Sequence, residues 1–272
     1  MAELQHWRPI RDTHAIQSAH LAVQFGQPAG EVLWRRVQSA VSDIAGAVGI
    51  TGRQPVSGFP FGIQFMAPGV TVQEPDQGVL LTSQTEAGEV VEQFTLTRDM
   101  LKYEQMQYTR WAPFRERAQK LMSGAVDQYG MVSSLAAVTS NYVDVFEFSG
   151  SGEPDVSEVI SAEGPFVSRA AHHPATLWHS HSGFFEYPSP ETRRLVAVNV
   201  DIQFGPVPGR PHLVRVTTQI SDQFGQPELT ELDASRVDWA FIAGRADEQH
   251  LRLKSLLAQV LTDDAAQAIS LT

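Results

Sequence analysis

Cysteine is absent from the sequence, which excludes disulfides, thiolate metal sites and a cysteine nucleophile. Long apolar runs are missing too: nothing approaches the ~18 residues of a membrane-spanning helix. Residues 1–13 are polar and charged where a secretory leader would need an apolar stretch. A cytoplasmic protein without membrane contact is expected. Positive charge is in short supply, with 20 Lys and Arg against 31 Asp and Glu and a formal charge of −11. That balance opposes attraction to phosphate backbones and anionic lipid, so no nucleic-acid partner is expected. The local basic spots, Arg35-Arg36 and Arg115 with Arg117, read as solvated helix faces. No Gly-x-Ser-x-Gly elbow and no Walker pattern occurs, and Gly150-Ser151-Gly152 lacks the third glycine of a dinucleotide loop.

What remains is a globular composition. Apolar residues make up 42% and charged residues 19% of 272, with 14 Phe and 5 Trp, enough to build a sizeable core.

The apolar spacing predicts the elements. Leu21, Val23 and Phe25 alternate as in a half-buried strand. From Glu31, the positions Leu33, Trp34, Val37, Val41, Ile44, Ala45 and Val48 recur at three- and four-residue steps, and Gly49 marks the helix end. Short strands are expected within 59–66 and 70–72. A hairpin joins 79–83 to 90–97 across Glu86-Ala87-Gly88-Glu89, an extended stretch follows at 101–108, and a helix at 111–128. Beyond it, strands are expected at 131–148, 165–169, 176–187, 194–204 and 212–223, with a short helix at 154–160 and a final helix from about Asp247.

The order suggests two tandem β-α-β4-α-like halves, 1–130 and 131–272, joined in one compact unit. The expected fold is α+β, a mostly antiparallel sheet packed on one face by helices.

Several stretches together resemble a family. Tyr108-Thr109-Arg110-Trp111-Ala112-Pro113-Phe114, Asn141-Tyr142-Val143 and Val198-Asn199-Val200-Asp201 are similar to a sporadically distributed bacterial protein family without an assigned function, over residues 10–265. The chain departs from that pattern at Asn141 and Asn199. The resemblance implies a bacterial accessory protein and brings no catalytic residues with it.

The densest group of chemically able side chains is Leu177-Trp178-His179-Ser180-His181. His179 and His181, two apart on a strand, leave the same face, a spacing that metal-binding strands use. His172 or His173 and a carboxylate such as Glu186 or Asp201 would complete a transition-metal site. The other reading is a solvated strand face. Tyr103, Tyr108, Trp111 and Trp178 are candidates to line a pocket between helix and sheet, or else are core.

These features favour a non-catalytic protein that acts through a protein partner, with a homodimer formed through exposed sheet edges. No cofactor is expected on that reading. The alternative is a small-molecule-binding protein or metal-dependent enzyme using the helix–sheet pocket or the His172–His181 cluster with a divalent transition metal.

Overall fold

The computed structural model describes residues 4–11, 13–56, 78–168, 178–203 and 212–271; the strands expected at 59–66 and 70–72, and His172 and His173, lie outside them. Its strands are β1 (Trp7–Pro9), β2 (Ile16–Phe25), β3 (Gly52–Val56), β4 (Gly78–Gln84), β5 (Val90–Thr97), β6 (Met100–Gln105), β7 (Leu135–Phe148), β8 (His179–Ser189), β9 (Thr192–Gln203) and β10 (Leu213–Gln223). The helices are α1 (Glu31–Ala47), α2 (Trp111–Gly130), α3 (Trp239–Val260) and α4 (Asp263–Ala268). Ten strands hydrogen-bond in the order β3-β4-β5-β6-β2-β7-β10-β9-β8, with β1 on β7. This is an α+β architecture. No described helix is long and apolar enough to cross a membrane.

The chain forms two compact units, one of Leu21–Ala137 with Glu231–Ala243 and one of Met1–His20, Val138–Thr230 and Gly244–Thr272. They do not follow the single expected cut at 130/131, because β2 and β7 each contribute residues to both and 231–243 rejoins the earlier part of the chain.

In the unit holding β3–β6, α1 buries Trp34, Val37, Val41 and Ala45, three and four residues apart as one helical stripe requires. Past its end Gly49 takes φ +87, a left-handed conformation open to glycine at no steric cost. Pro113 sits in the first turn of α2, where its missing N–H has no intrahelical acceptor to serve. The buried face of α2 carries Phe114, Ala118, Leu121, Met122, Ala125, Val126 and Tyr129. Phe114 and Phe94 are fully buried, each contributing roughly 1.5–3 kcal/mol relative to exposure. The expected hairpin is present as β4 and β5, antiparallel with Leu81 opposite Phe94. Gly130 closes α2 where a β-carbon would stand 2.5 Å from the Val237 carbonyl oxygen, so only glycine lets 231–243 approach this closely.

In the other unit, β8–β9 and β9–β10 are antiparallel. Along β9 the even positions Thr192 to Ile202 are buried and the odd ones half-buried, a period of two that gives each sheet face its own residues. The even face meets α3: Tyr142 reaches His250, Arg194 reaches Glu248, and Glu186 reaches Arg252. The short helix expected at 154–160 is a three-residue 3-10 turn, Val156–Glu158, whose start is capped by Asp155 accepting from the Ser157 amide at 2.9 Å.

α3 begins eight residues before the expected Asp247. Its start is set by Asp238, whose Oδ1 accepts the Phe241 amide at 2.8 Å, satisfying a donor the helix itself cannot. The buried stripe runs through Trp239, Ile242, Ala243, Ala246 and Leu253 but includes the buried Gln249, a polar residue that separates this beginning from the apolar run that follows in a periodicity reading.

Candidate functional site

The aromatic candidates near α2 form core. Tyr103 is fully buried and Tyr108 nearly so; with Trp111 they surround Phe114, at ring separations of 5.1, 5.9 and 5.6 Å. The Tyr103 hydroxyl donates to Glu92 Oε2 at 2.9 Å, and Arg117 donates to the same carboxylate through Nε at 3.0 Å and through Nη2. Arg117 also reaches the Val48 carbonyl at 2.7 Å. Burial first, and the Glu92 charge second, raise the Tyr103 pKa well above its ordinary value, so the phenol stays a donor. This network ties β5, β6, α1 and α2 together. Trp178 belongs to the other compact unit, is half-buried, and gives its carbonyl to the Ile202 amide at 3.1 Å.

The histidine candidates lie on β8. His179 and His181 are exposed and share a face. Their cross-strand partners are Asp201 and Asn199, and Arg215 of β10 stands opposite Asp201 on the far side. Among the described residues no group of three or more His, Asp or Glu is placed to hold a metal ion. His173 lies outside them. Glu186, the other proposed carboxylate, is on the opposite face and receives Arg252 Nη2 at 2.6 Å.

Sequence reasoning passed over the rest of β8. The two ends of the strand order differ. β3 has five residues and contains Pro55 and Arg53, features that blunt a sheet edge against further pairing. β8 has eleven residues, and its proline, Pro188, comes only at the penultimate position; beyond it no described strand bonds its outer row of N–H and C=O groups. Along it Phe184, Phe185 and Tyr187 keep 37%, 50% and 62% of their surface in solvent. Phe184 lies parallel to Phe166, ring centres 6.2 Å apart, and the Ser180 and Ser182 hydroxyls both donate to the Phe166 carbonyl, at 3.0 and 2.9 Å. Phe185, on the opposite face, lies under the Arg193 guanidinium at 4.8 Å. The strand is therefore held by β9 on one edge, and among the described strands none pairs with the other. An aromatic pair beside a turn was the available signal.

The unit of β8–β10 also buries polar groups beneath α3. Asp144 is fully buried, with neither carboxylate oxygen hydrogen-bonded. Burial lifts its pKa to about 7. His250, hydrogen-bonded through Nδ1 to the Tyr142 hydroxyl at 2.6 Å, has its pKa lowered to about 4 by burial and, secondarily, by Lys254.

No protein-family model matches the chain, and no curated protein matches it in sequence.

Proposed function

We propose that the chain is a non-catalytic protein that acts by binding protein, and that β8 is its contact strand. The observation that carries this is the eleven-residue edge, with no described strand beyond it and with three exposed aromatic side chains. An edge of this kind accepts an added strand, with main-chain hydrogen bonds for affinity and side-chain pairs for choice of partner.

The occupant we assign is a second copy of this chain. Antiparallel pairing of two β8 strands centred on Phe184 sets Gly183 of each copy opposite Phe185 of the other, so the ring covers the bare backbone of the glycine. Glu186 is the only acidic or basic residue of the strand apart from its histidines, and it would face Ser182, which avoids like charges opposite one another. Catalysis or metal binding at His179 and His181 has less support, because a third ligand is needed there.

The tandem duplication is part of the same proposal. Its support is the element order, β2-α1-β3-β4-β5-β6-α2 against β7, 3-10 turn, β8-β9-β10-α3. Reading outward from the neighbours β2 and β7, the strands run β6-β5-β4-β3 on one side and β10-β9-β8 on the other. A bacterial accessory role rests on the resemblance at 108–114, 141–143 and 198–201 alone.

Native mass spectrometry of the untagged protein tests the assignment. A dimer is expected, and Phe185→Glu should return it to monomer with its circular dichroism unchanged. A wild-type monomer at tens of micromolar overturns the second-copy occupant.

A further inference from the structure

The unit of β3–β6 holds a cavity of about 580 Å³ lined by Arg35 of α1, Arg53 of β3 and Arg98 of the β5–β6 turn, with Trp34, Pro55 and Glu31 among the other walls. That volume lies within the roughly 300–1,000 Å³ of small-molecule sites. Nothing in the β8 reading involves it.

Among the described residues of the lining Glu31 is the only acidic one, and two arginines share it. Arg35 Nε donates to Oε1 at 2.6 Å and Arg98 Nη2 to Oε2 at 2.5 Å. Arg98, then Arg35, holds the Glu31 carboxyl below its ordinary pKa, so it is ionised at neutral pH. The third guanidinium, Arg53, has among the described residues only the Ser42 hydroxyl, at 3.5 Å from Nη1, and no carboxylate. Three cations against one anion leave the walls with a charge of +2, in a chain whose formal charge is −11. Like charges held together without counter-charge repel one another, and a bound dianion would relieve that repulsion. Guanidinium groups offer planar, forked donors that match phosphate oxygens two at a time.

The surroundings add shape. α1 starts beside the cavity at Gly30 without a side-chain cap, with Glu31 the acidic residue of its first turn, so its positive end also faces this region. Trp34, 5% exposed, forms an apolar wall with Pro55 and Val79. Its ring lies 5.8 Å from the Arg98 guanidinium. A bare anion would leave these walls unused.

We infer that this cavity is a binding site for a small phosphate monoester: the dianionic phosphate lies among Arg35, Arg53 and Arg98, and a compact organic group lies against Trp34 and Pro55. The three arginines come from separate elements, and in the sequence Arg35 reads as a solvated helix face.

The test is calorimetric titration of the full chain with phenyl phosphate, with inorganic phosphate and phenol as comparisons. Saturable one-to-one binding is expected, tighter for phenyl phosphate than for either comparison. Arg53→Gln, which among the described residues gives up the Ser42 contact alone, should weaken it by about tenfold, a typical loss for one charge-assisted hydrogen-bonding group. Trp34→Phe should weaken phenyl phosphate but not inorganic phosphate. Thermal melts confirm folding of each variant; should Trp34→Phe fail to fold, Arg35→Gln takes its place and should weaken both phosphates. No saturation by phenyl phosphate, or unchanged affinity in Arg53→Gln, overturns the site. Binding lost entirely at about 150 mM salt would indicate diffuse surface attraction and overturns it equally. The oligomeric state reports on β8 separately, so failure of either proposal is distinguishable from failure of the other.

Discussion

Arg194 and Asp222 face one another across β9 and β10 as register partners, with Nε to Oδ1 at 2.6 Å and Nη2 to Oδ2 at 3.1 Å. Both are buried, at 4% and 0% exposure, and Arg194 extends a further contact to Glu248 of α3 at 3.0 Å. Arg194→Ala strands the Asp222 carboxylate in the core, which is expected to cost about 3–5 kcal/mol in urea denaturation. The double replacement Arg194→Leu with Asp222→Leu should recover most of that loss. If the double variant is as unstable as the single one, the pair does more than neutralise itself.

Asp144 is expected to make stability fall as pH rises. An unfolded aspartate releases its proton near 3.8, whereas the folded state holds it up to about 7. Between those values the folded chain binds more protons, so stability present at low pH is lost through this window, on the order of 4 kcal/mol in all at 1.4 kcal/mol per unit. Asp144→Asn should remove this falling contribution and be the more stable protein above pH 7. Denaturation midpoints measured across the window decide it.

His250 acts in the opposite direction. Its folded pKa is lowered from 6.5 to about 4, so the unfolded chain takes up the proton first and stability is lost as pH falls through that window. Lys254 opposes its protonation and Asp247 favours it. In wild type the two slopes partly cancel. His250→Gln should expose the decline due to Asp144, and Asp144→Asn the rise due to His250.

The β8 edge makes a prediction about handling. Phe185→Glu or Tyr187→Glu should lower dimerisation and leave the melting temperature of the monomer within a degree or two, since both rings are exposed and such surface changes usually fall within about 0.5 kcal/mol. Light scattering against concentration reads this directly.

Metal analysis of the same untagged sample addresses the histidines. With Asp201 opposite His179 and no third ligand among the described residues, no stoichiometric metal is expected. Zinc bound one-to-one and lost in His179→Ala with His181→Ala would overturn this and make them ligands.

Periodicity located the elements whose burial follows from their own side chains. α1 is legible because its buried positions Trp34, Val37, Val41 and Ala45 all lie on one stripe, and β9 because alternate residues go to opposite faces. The start of α3 was not legible, since the buried Gln249 interrupts the apolar stripe and the cap at Asp238 acts through one hydrogen bond. β1 was missed because three residues carry no period; Trp7 is nonetheless nearly fully buried, with its indole N–H on the Asp155 carbonyl at 2.8 Å. Tyr103, Tyr108 and Trp111 were correctly grouped by proximity to a helix start, but proximity does not separate a pocket from a core.

The amino-acid sequence alone determined the α+β character and most of the helices and strands, because local geometry fixes which side chains share a face. Tertiary structure alone decided that β8 is an edge and that Arg35, Arg53 and Arg98 surround one cavity. Pairing order and convergence depend on contacts between residues far apart in the chain, and no local period records them.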